Sequence, residues 1–156
     1  MKRQAVVLAV VMVGVGIGLL GPKPALAQSG LSYYAITPCR VVDTRVPTDP
    51  ATPKRGTFTD GEVRAYTFSA STDCPGLPTN AGGWALHISF SPSTTASYLT
   101  VYPSGVTRPG TSTVLSYPGS YTGTNAVVPA GSGGTINVYC QYAGTVIIDV
   151  NGYFAP

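Results

Sequence analysis

Glycine and proline decide what this chain can become. Nineteen glycines and fourteen prolines are spread through its 156 residues. Beyond residue 27 they interrupt the chain roughly every 8–15 positions, too often for helices that must sustain a 3.6-residue apolar period. What fits between the breaks is short alternating stretches. The cleanest is Trp84-Ala85-Leu86-His87-Ile88-Ser89-Phe90, with Trp84, Leu86, Ile88 and Phe90 on one face and Ala85, His87 and Ser89 on the other. Similar stretches predict strands near Tyr33–Thr37, Cys39–Thr44, Glu62–Ser69, Tyr98–Tyr102, Thr113–Tyr117, Asn125–Val128, Thr135–Tyr142 and Thr145–Val150. Loops are predicted at 46–56 and 74–83, both rich in proline or glycine. The expected fold is all-β: one antiparallel β-sandwich of about eight or nine strands with Greek-key or jelly-roll connections.

The first 27 residues read as a leader outside that domain. Lys2 and Arg3 precede an apolar run from Ala5 to Leu20, Gly21-Pro22-Lys23-Pro24 breaks it, and Ala25-Leu26-Ala27 has the small-x-small pattern of a signal-peptidase site. Residues 28–37 form an N-terminal extension and 38–156 the sandwich domain. The expected location is therefore secreted, extracellular or at the cell surface, with no membrane span after cleavage. Of the nine basic side chains, Lys2, Arg3 and Lys23 leave with the leader. Six remain against six acidic ones, a formal charge of zero. No basic patch is left to track phosphates, which argues against a nucleic-acid partner. A neutral surface rich in Thr, Ser, Gly and Tyr lacks the self-repulsion that keeps copies apart, and so favours association.

Three cysteines in an exported chain imply one disulfide and one free thiol. Cys39 and Cys74 sit beside Pro38 and Pro75 at strand–loop junctions, so a bridge between them is predicted. Cys140 shares a strand face with Ile136 and Val138 and is expected inside, as a small hydrophobe.

Little in the chain is equipped for catalysis. The one histidine, His87, falls on the polar face of its strand, and no G-x-S-x-G elbow accompanies it. Asp43-Thr44 lacks the glycine of an aspartic-protease motif; Arg45 stands there instead and would hold the carboxylate ionised. One histidine and three scattered cysteines serve zinc poorly, and Asp60, Glu62 and Asp73 lack EF-hand spacing. No enzymatic activity, cofactor or metal is expected. Arg40, Asp43, Arg45 and Asp149 lie instead in two strand-like segments near the chain's ends. Asp149 follows Ile147-Ile148 and precedes Val150, so a carboxylate there is expected to be buried and paired. An arginine of the first segment is its expected partner, joining the two ends as a structural ion pair.

Ten tyrosines raise the question of sugar stacking. Tyr98 and Tyr102 share a strand face, with Tyr117 and Tyr121 nearby in sequence, so these four are the candidate glycan contacts. Tyrosine is equally a good strand former with a polar tip.

The motifs Pro38-Cys39-Arg40-Val41-Val42-Asp43-Thr44-Arg45, Tyr98-Leu99-Thr100-Val101-Tyr102-Pro103-Ser104-Gly105, Asn125-Ala126-Val127-Val128-Pro129-Ala130-Gly131 and Asp149-Val150-Asn151-Gly152-Tyr153-Phe154 cover most of the chain after the leader. Together with Cys74 and Pro78 they resemble a secreted β-domain of acidobacterial, actinobacterial and related exported proteins. That resemblance implies a non-enzymatic extracellular module, in relatives often repeated or appended to surface proteins.

Ser32-Tyr33-Tyr34-Ala35-Ile36-Thr37 carries no charge, glycine or proline. Such a strand can add to an exposed sheet edge, of its own domain or of another copy. The expected function is a secreted structural protein that associates with itself or with a cell surface, forming homo-oligomers or filaments through this segment. The alternative is an adhesion module binding cell-surface glycans through the tyrosines.

Overall fold

The computed structural model describes residues 30–46 and 56–156; the segment expected to be a leader and most of the proline-bearing 46–56 loop lie outside the described residues. The alternating stretches form eight strands: β1 (Ser32–Asp43), β2 (Val63–Thr67), β3 (Gly83–Pro92), β4 (Ser97–Pro103), β5 (Val114–Ser116), β6 (Thr122–Pro129), β7 (Thr135–Cys140) and β8 (Gly144–Ala155). The two segments expected at Tyr33–Thr37 and Cys39–Thr44 are one strand. The last strand runs five residues past the expected Val150, and Phe68–Ala70 is a 3-10 turn rather than the end of β2.

The strands make two four-stranded antiparallel sheets, ordered β1-β8-β3-β6 and β2-β7-β4-β5. β1 pairs with β8, β2 with β7, β3 with β6 and β4 with β5, so each strand pairs with the one equally far from the other end of the chain. That nesting, rolled up and closed by β8–β3 and β7–β4, is the double Greek key of a jelly roll. The fold is thus the expected all-β sandwich, with its chain ends side by side.

The core lies between the sheets. β3 contributes Trp84, Leu86, Ile88 and Phe90, all at most 1 % exposed, opposite Leu99, Ile136, Val138 and Cys140. Trp84 packs edge-on against Phe68 at 5.2 Å, and its Nε1–H donates to the Gly134 carbonyl at 2.8 Å, so its one polar atom is satisfied inside. Cys140 is buried and free as expected, and burial pushes its thiol up to about 12.

β2 inverts the simple hydropathy rule. Val63 is exposed, whereas Arg64 is only 6 % exposed and turned inward. The guanidinium donates to both carboxylate oxygens of Glu62 at 2.7 and 2.9 Å and to the carbonyls of Gly56 and Thr57 at 2.7 and 2.9 Å. It also stacks 3.9 Å from the centre of the Phe58 ring. Fully engaged in this way, the charge can be tolerated at the edge of the core.

Candidate assembly surface

The sheet β1-β8-β3-β6 carries the N-terminal segment and the ion-pair strands singled out in the sequence, with the disulfide at its edge. Cys39 and Cys74 are bonded, with Cα atoms 5.7 Å apart. The bridge fixes β1 to the loop before β3 and divides the strand in two.

On the core side of the bridge, Val41 and Val42 are buried. On the other side, Ser32, Tyr33, Tyr34 and Ala35 pair with Ala155, Phe154, Tyr153 and Gly152. Between the parts the register slips: Ile36, Thr37 and Pro38 stand against Asn151 alone. Pro38 has no N–H to donate, and an edge strand with a bulge is where a sheet tolerates proline. The expected six-residue pairing segment therefore supplies four ladder residues, while Ile36 and Thr37 belong to the bulge.

The arm Ser32–Ala35 is held by its ladder and by two aromatic pairs. Tyr33 lies 5.1 Å from Phe154, and Tyr34 stacks on Tyr153 at 5.1 Å. The Tyr33 ring rests on the bare backbone of Gly152, where a Cβ would fall 2.5 Å from its hydroxyl. Tyr33 and Tyr34 nevertheless keep 51 % and 42 % of their surface exposed. Beside the bulge lies a cleft of about 380 Å³ walled by Ile36, Pro38, the disulfide, Leu77 and Tyr153. In this structure the arm therefore caps its own sheet, the cis arrangement of the two considered.

The ion-pair set forms as expected in partner but not in burial. Arg40 grips Asp149 with both Nε and Nη2, at 2.8 and 3.2 Å, and reaches Asp43 at 3.5 Å. Arg45 grips Asp43 at 2.9 and 2.6 Å and adds its backbone N–H at 3.1 Å. These Arg45 hydrogen bonds hold the Asp43 carboxyl below the usual carboxylate range. All four lie on the outer face of the sheet, the arginine side chains 46 % and 44 % exposed and Asp149 23 %. The expectation of a buried Asp149 is corrected. Ile147 and Ile148 are both buried on opposite faces of β8, but the next outward position opens to solvent beside edge strand β1. Pairs so exposed contribute about 0–1 kcal/mol each.

Arg40 and Asp149 begin a polar row across all four strands, for Asp149 also faces His87, and His87 faces Asn125. His87 is half-buried and engaged at both ring nitrogens, Nδ1 2.9 Å from Asn125 Oδ1 and Nε2 3.3 Å from Ser89 Oγ. The ring lies over Gly123, where a Cβ would fall 3.0 Å away. The connectivity is that of a nucleophile, base and orienter. The setting is different, because β3 is paired on both sides and its amides serve the β6 and β8 ladders rather than an oxyanion. Sequence reasoning placed His87 on the polar face but missed the Asn125 contact, which depends on the β3–β6 register.

The four tyrosines do not make a platform. Tyr98 is half-buried, Tyr102 is 5 % exposed, and only Tyr117 and Tyr121 stand open, at 62 % and 49 %. Tyr102 is on the outer face as expected, but segment 104–113 folds over that face. Thr111 accepts from the Thr100 hydroxyl at 2.6 Å, and Arg108 stacks 4.0 Å from the Tyr139 ring centre. Tyr121 belongs to the other sheet's rim, where its hydroxyl meets Thr145 at 2.8 Å. As a joint stacking surface the set is corrected.

Among the described residues no group of three or more His, Cys, Asp or Glu side chains could hold a metal ion, and no helix is long and apolar enough to cross a membrane. No family model and no curated protein matches the chain. Among solved structures it is similar to the Tobacco streak virus coat protein, described as a dimer, with a TM-score of 0.36 and 13 % identity over 67 % of this chain and 84 % of that one.

Proposed function

We propose that this chain is a secreted, non-enzymatic structural subunit that assembles with copies of itself by exchanging the N-terminal arm. The supporting observation is the division of β1 at the disulfide. Val41 and Val42, after Cys39, are locked into the core, whereas Ser32–Ala35 is held without covalent or core anchorage, by its ladder to Gly152–Ala155, two half-exposed aromatic pairs and the Tyr33 and Tyr34 hydroxyls donating to the Asn151 and Pro156 carbonyls at 3.4 and 3.5 Å. The bulge Ile36–Pro38 supplies a joint between the two. An arm released there can dock on the same four residues of a neighbour and regain every contact it gave up, which is the low-cost route of domain swapping. If each copy gives its arm to the next, the contact does not close and a filament grows. With the leader and its Lys2, Arg3 and Lys23 removed, the formal charge falls from +3 to zero and no long-range repulsion opposes assembly, and the disulfide suits an oxidising compartment.

Light scattering across a concentration series, with negative-stain microscopy, tests this reading on the protein without its leader. Oligomers or filaments are expected, and deletion of Gln28 to Thr37 is expected to abolish those built by the arm. A full-length mature protein that stays monomeric at millimolar concentration overturns the proposal, as does assembly that survives the deletion unchanged.

A further inference from the structure

A jelly roll of two four-stranded sheets has four edges, and natural sheets protect edges against pairing with other chains. Three of the four here carry a recognised device. β1 has Pro38, two interruptions of register and the charges of Arg40 and Asp43. β2 turns a charged side chain, Arg64, inward. β5 is only three residues long.

β6 carries none. It is eight residues, Thr122-Gly123-Thr124-Asn125-Ala126-Val127-Val128-Pro129, with no charge and no proline before its last position. Its register with β3 runs unbroken from Thr122 to Pro129. Among the described residues no strand is laddered to its outer edge, which touches β5 through the Thr122 hydroxyl donating to Ser116 Oγ at 3.0 Å, and further along Val127 is 67 % exposed, the most exposed of the large hydrophobic side chains. A long, regular, uncharged edge of this kind is a template for another strand.

The same comparison identifies the occupant. A second copy offers four described edges, and the devices on β1, β2 and β5 handicap all but its β6. Two β6 strands related by a two-fold axis run antiparallel, the better-hydrogen-bonded arrangement. Such a contact sets each residue against a symmetry mate, so any charge at the axis would meet itself; β6 has none. A register centred on Asn125 places Val127 of each copy opposite Gly123 of the other, a large side chain beside an absent one.

We propose that β6 is a homodimerisation edge, joining two copies by antiparallel β6–β6 pairing into one continuous eight-stranded sheet. The contact is isologous and closes on itself. It is distinct from arm exchange and does not depend on it; operating together, the two would string dimers into a chain.

Hydrogen exchange on the full-length mature protein, at rising concentration, reads the contact directly. Amides of Thr122–Val128 are expected to gain protection as the dimer forms. Asn125→Lys sets two like charges at the axis of the register centred on Asn125 and should weaken association about tenfold or more. Asn125→Glu should do the same, and an equimolar mixture of the two variants should restore the dimer. Val127→Lys, on a side chain already in solvent, supplies a second disruption that leaves the His87–Asn125 contact alone. Protection of β6 that does not vary with concentration overturns the proposal. So does wild-type association that Asn125→Lys leaves intact, or a mixture that fails to recover. Assembly in which β6 amides exchange at the monomer rate overturns it while supporting the arm; concentration-dependent β6 protection that persists in arm-deficient protein supports it independently of the arm.

Discussion

Glu62 offers the most quantitative test of how this sandwich closes its edge. The carboxylate accepts two hydrogen bonds from Arg64 and one each from the Thr59 N–H, at 2.9 Å, and the Thr59 hydroxyl, at 3.2 Å. The Arg64 hydrogen bonds, foremost, hold it at about 2 against an ordinary 4.5. At about 1.4 kcal/mol per tenfold in an ionisation constant, that interaction contributes at most about 3 kcal/mol at neutral pH. The Glu62 side chain is 29 % exposed, and solvent screening lowers the expected contribution to about 2 kcal/mol. The carboxyl's pKa is depressed in the folded state, so the contribution is complete above pH 4.5 and is lost as pH falls toward 2. Glu62→Gln keeps the shape and removes the charge. Denaturant unfolding of both proteins should show a gap of about 2 kcal/mol at pH 7 that narrows below pH 4.5 and vanishes near pH 2. A gap that stays constant from pH 7 to 2 would refute the electrostatic argument and leave packing as the cause. No gap at any pH would show that Gly56, Thr57 and Phe58 satisfy the buried arginine without a counter-charge.

Other expectations follow from the same geometry. The Cys39–Cys74 bridge spans 35 positions, and replacing both cysteines by serine should cost about 4 kcal/mol in the chain-entropy picture, read by denaturant midpoint; peptide mapping without reduction should recover this pair and leave Cys140 unlinked. Burial raises the Cys140 thiol to about 12 from an ordinary 9, so its contribution is complete below pH 9 and lost as pH rises through 12. Cys140→Ala should flatten that alkaline decline, and a thiol reagent should label Cys140 only at the unfolding rate. Gly152→Ala puts a methyl into the Tyr33 ring; it should speed hydrogen exchange in Ser32–Ala35 severalfold while leaving β3 and β7 unchanged.

Much of this architecture was legible in the chain, and the reason is local. Alternation in Trp84–Phe90 fixes which side chains enter the core, and the same rule correctly placed Cys140 among Ile136 and Val138. Proline beside cysteine marked both ends of the disulfide. That an arginine of the first segment partners Asp149 was also readable, because two charges in otherwise apolar segments need each other; that it is Arg40 rather than Arg45 follows from the β1–β8 register. Its half-exposed setting was not, since exposure depends on β1 being an edge, a property of strand order. Tyr102 failed for a related reason: a loop lying over a sheet's outer face leaves no periodic trace in the strand it covers. Arg64 shows the limit most clearly. Hydropathy would turn Val63 inward, yet Glu62, two carbonyls and the Phe58 ring make the arginine's side the better satisfied one. Those partners become visible only once residues 56–58 are folded back.

Of the four charged residues in the strands, three stand on edges, and that ties stability to assembly. Arg40 and Asp43 stand on β1 and Arg64 on β2, while β6 has no ionisable residue at all. A contact built from backbone hydrogen bonds and Val127 involves no ion pair. Salt should therefore leave wild-type β6–β6 association nearly unchanged, since a Debye length of about 10 Å at 0.1 M has nothing there to screen. The Asn125→Lys and Asn125→Glu mixture is the internal control. Its restored dimer depends on opposite charges across the axis, so raising salt from about 0.05 to 0.5 M should loosen it while the wild type holds. If wild-type association weakens with salt as steeply as the charged pair does, charges outside β6 are carrying the contact, and the uncharged edge is not the interface.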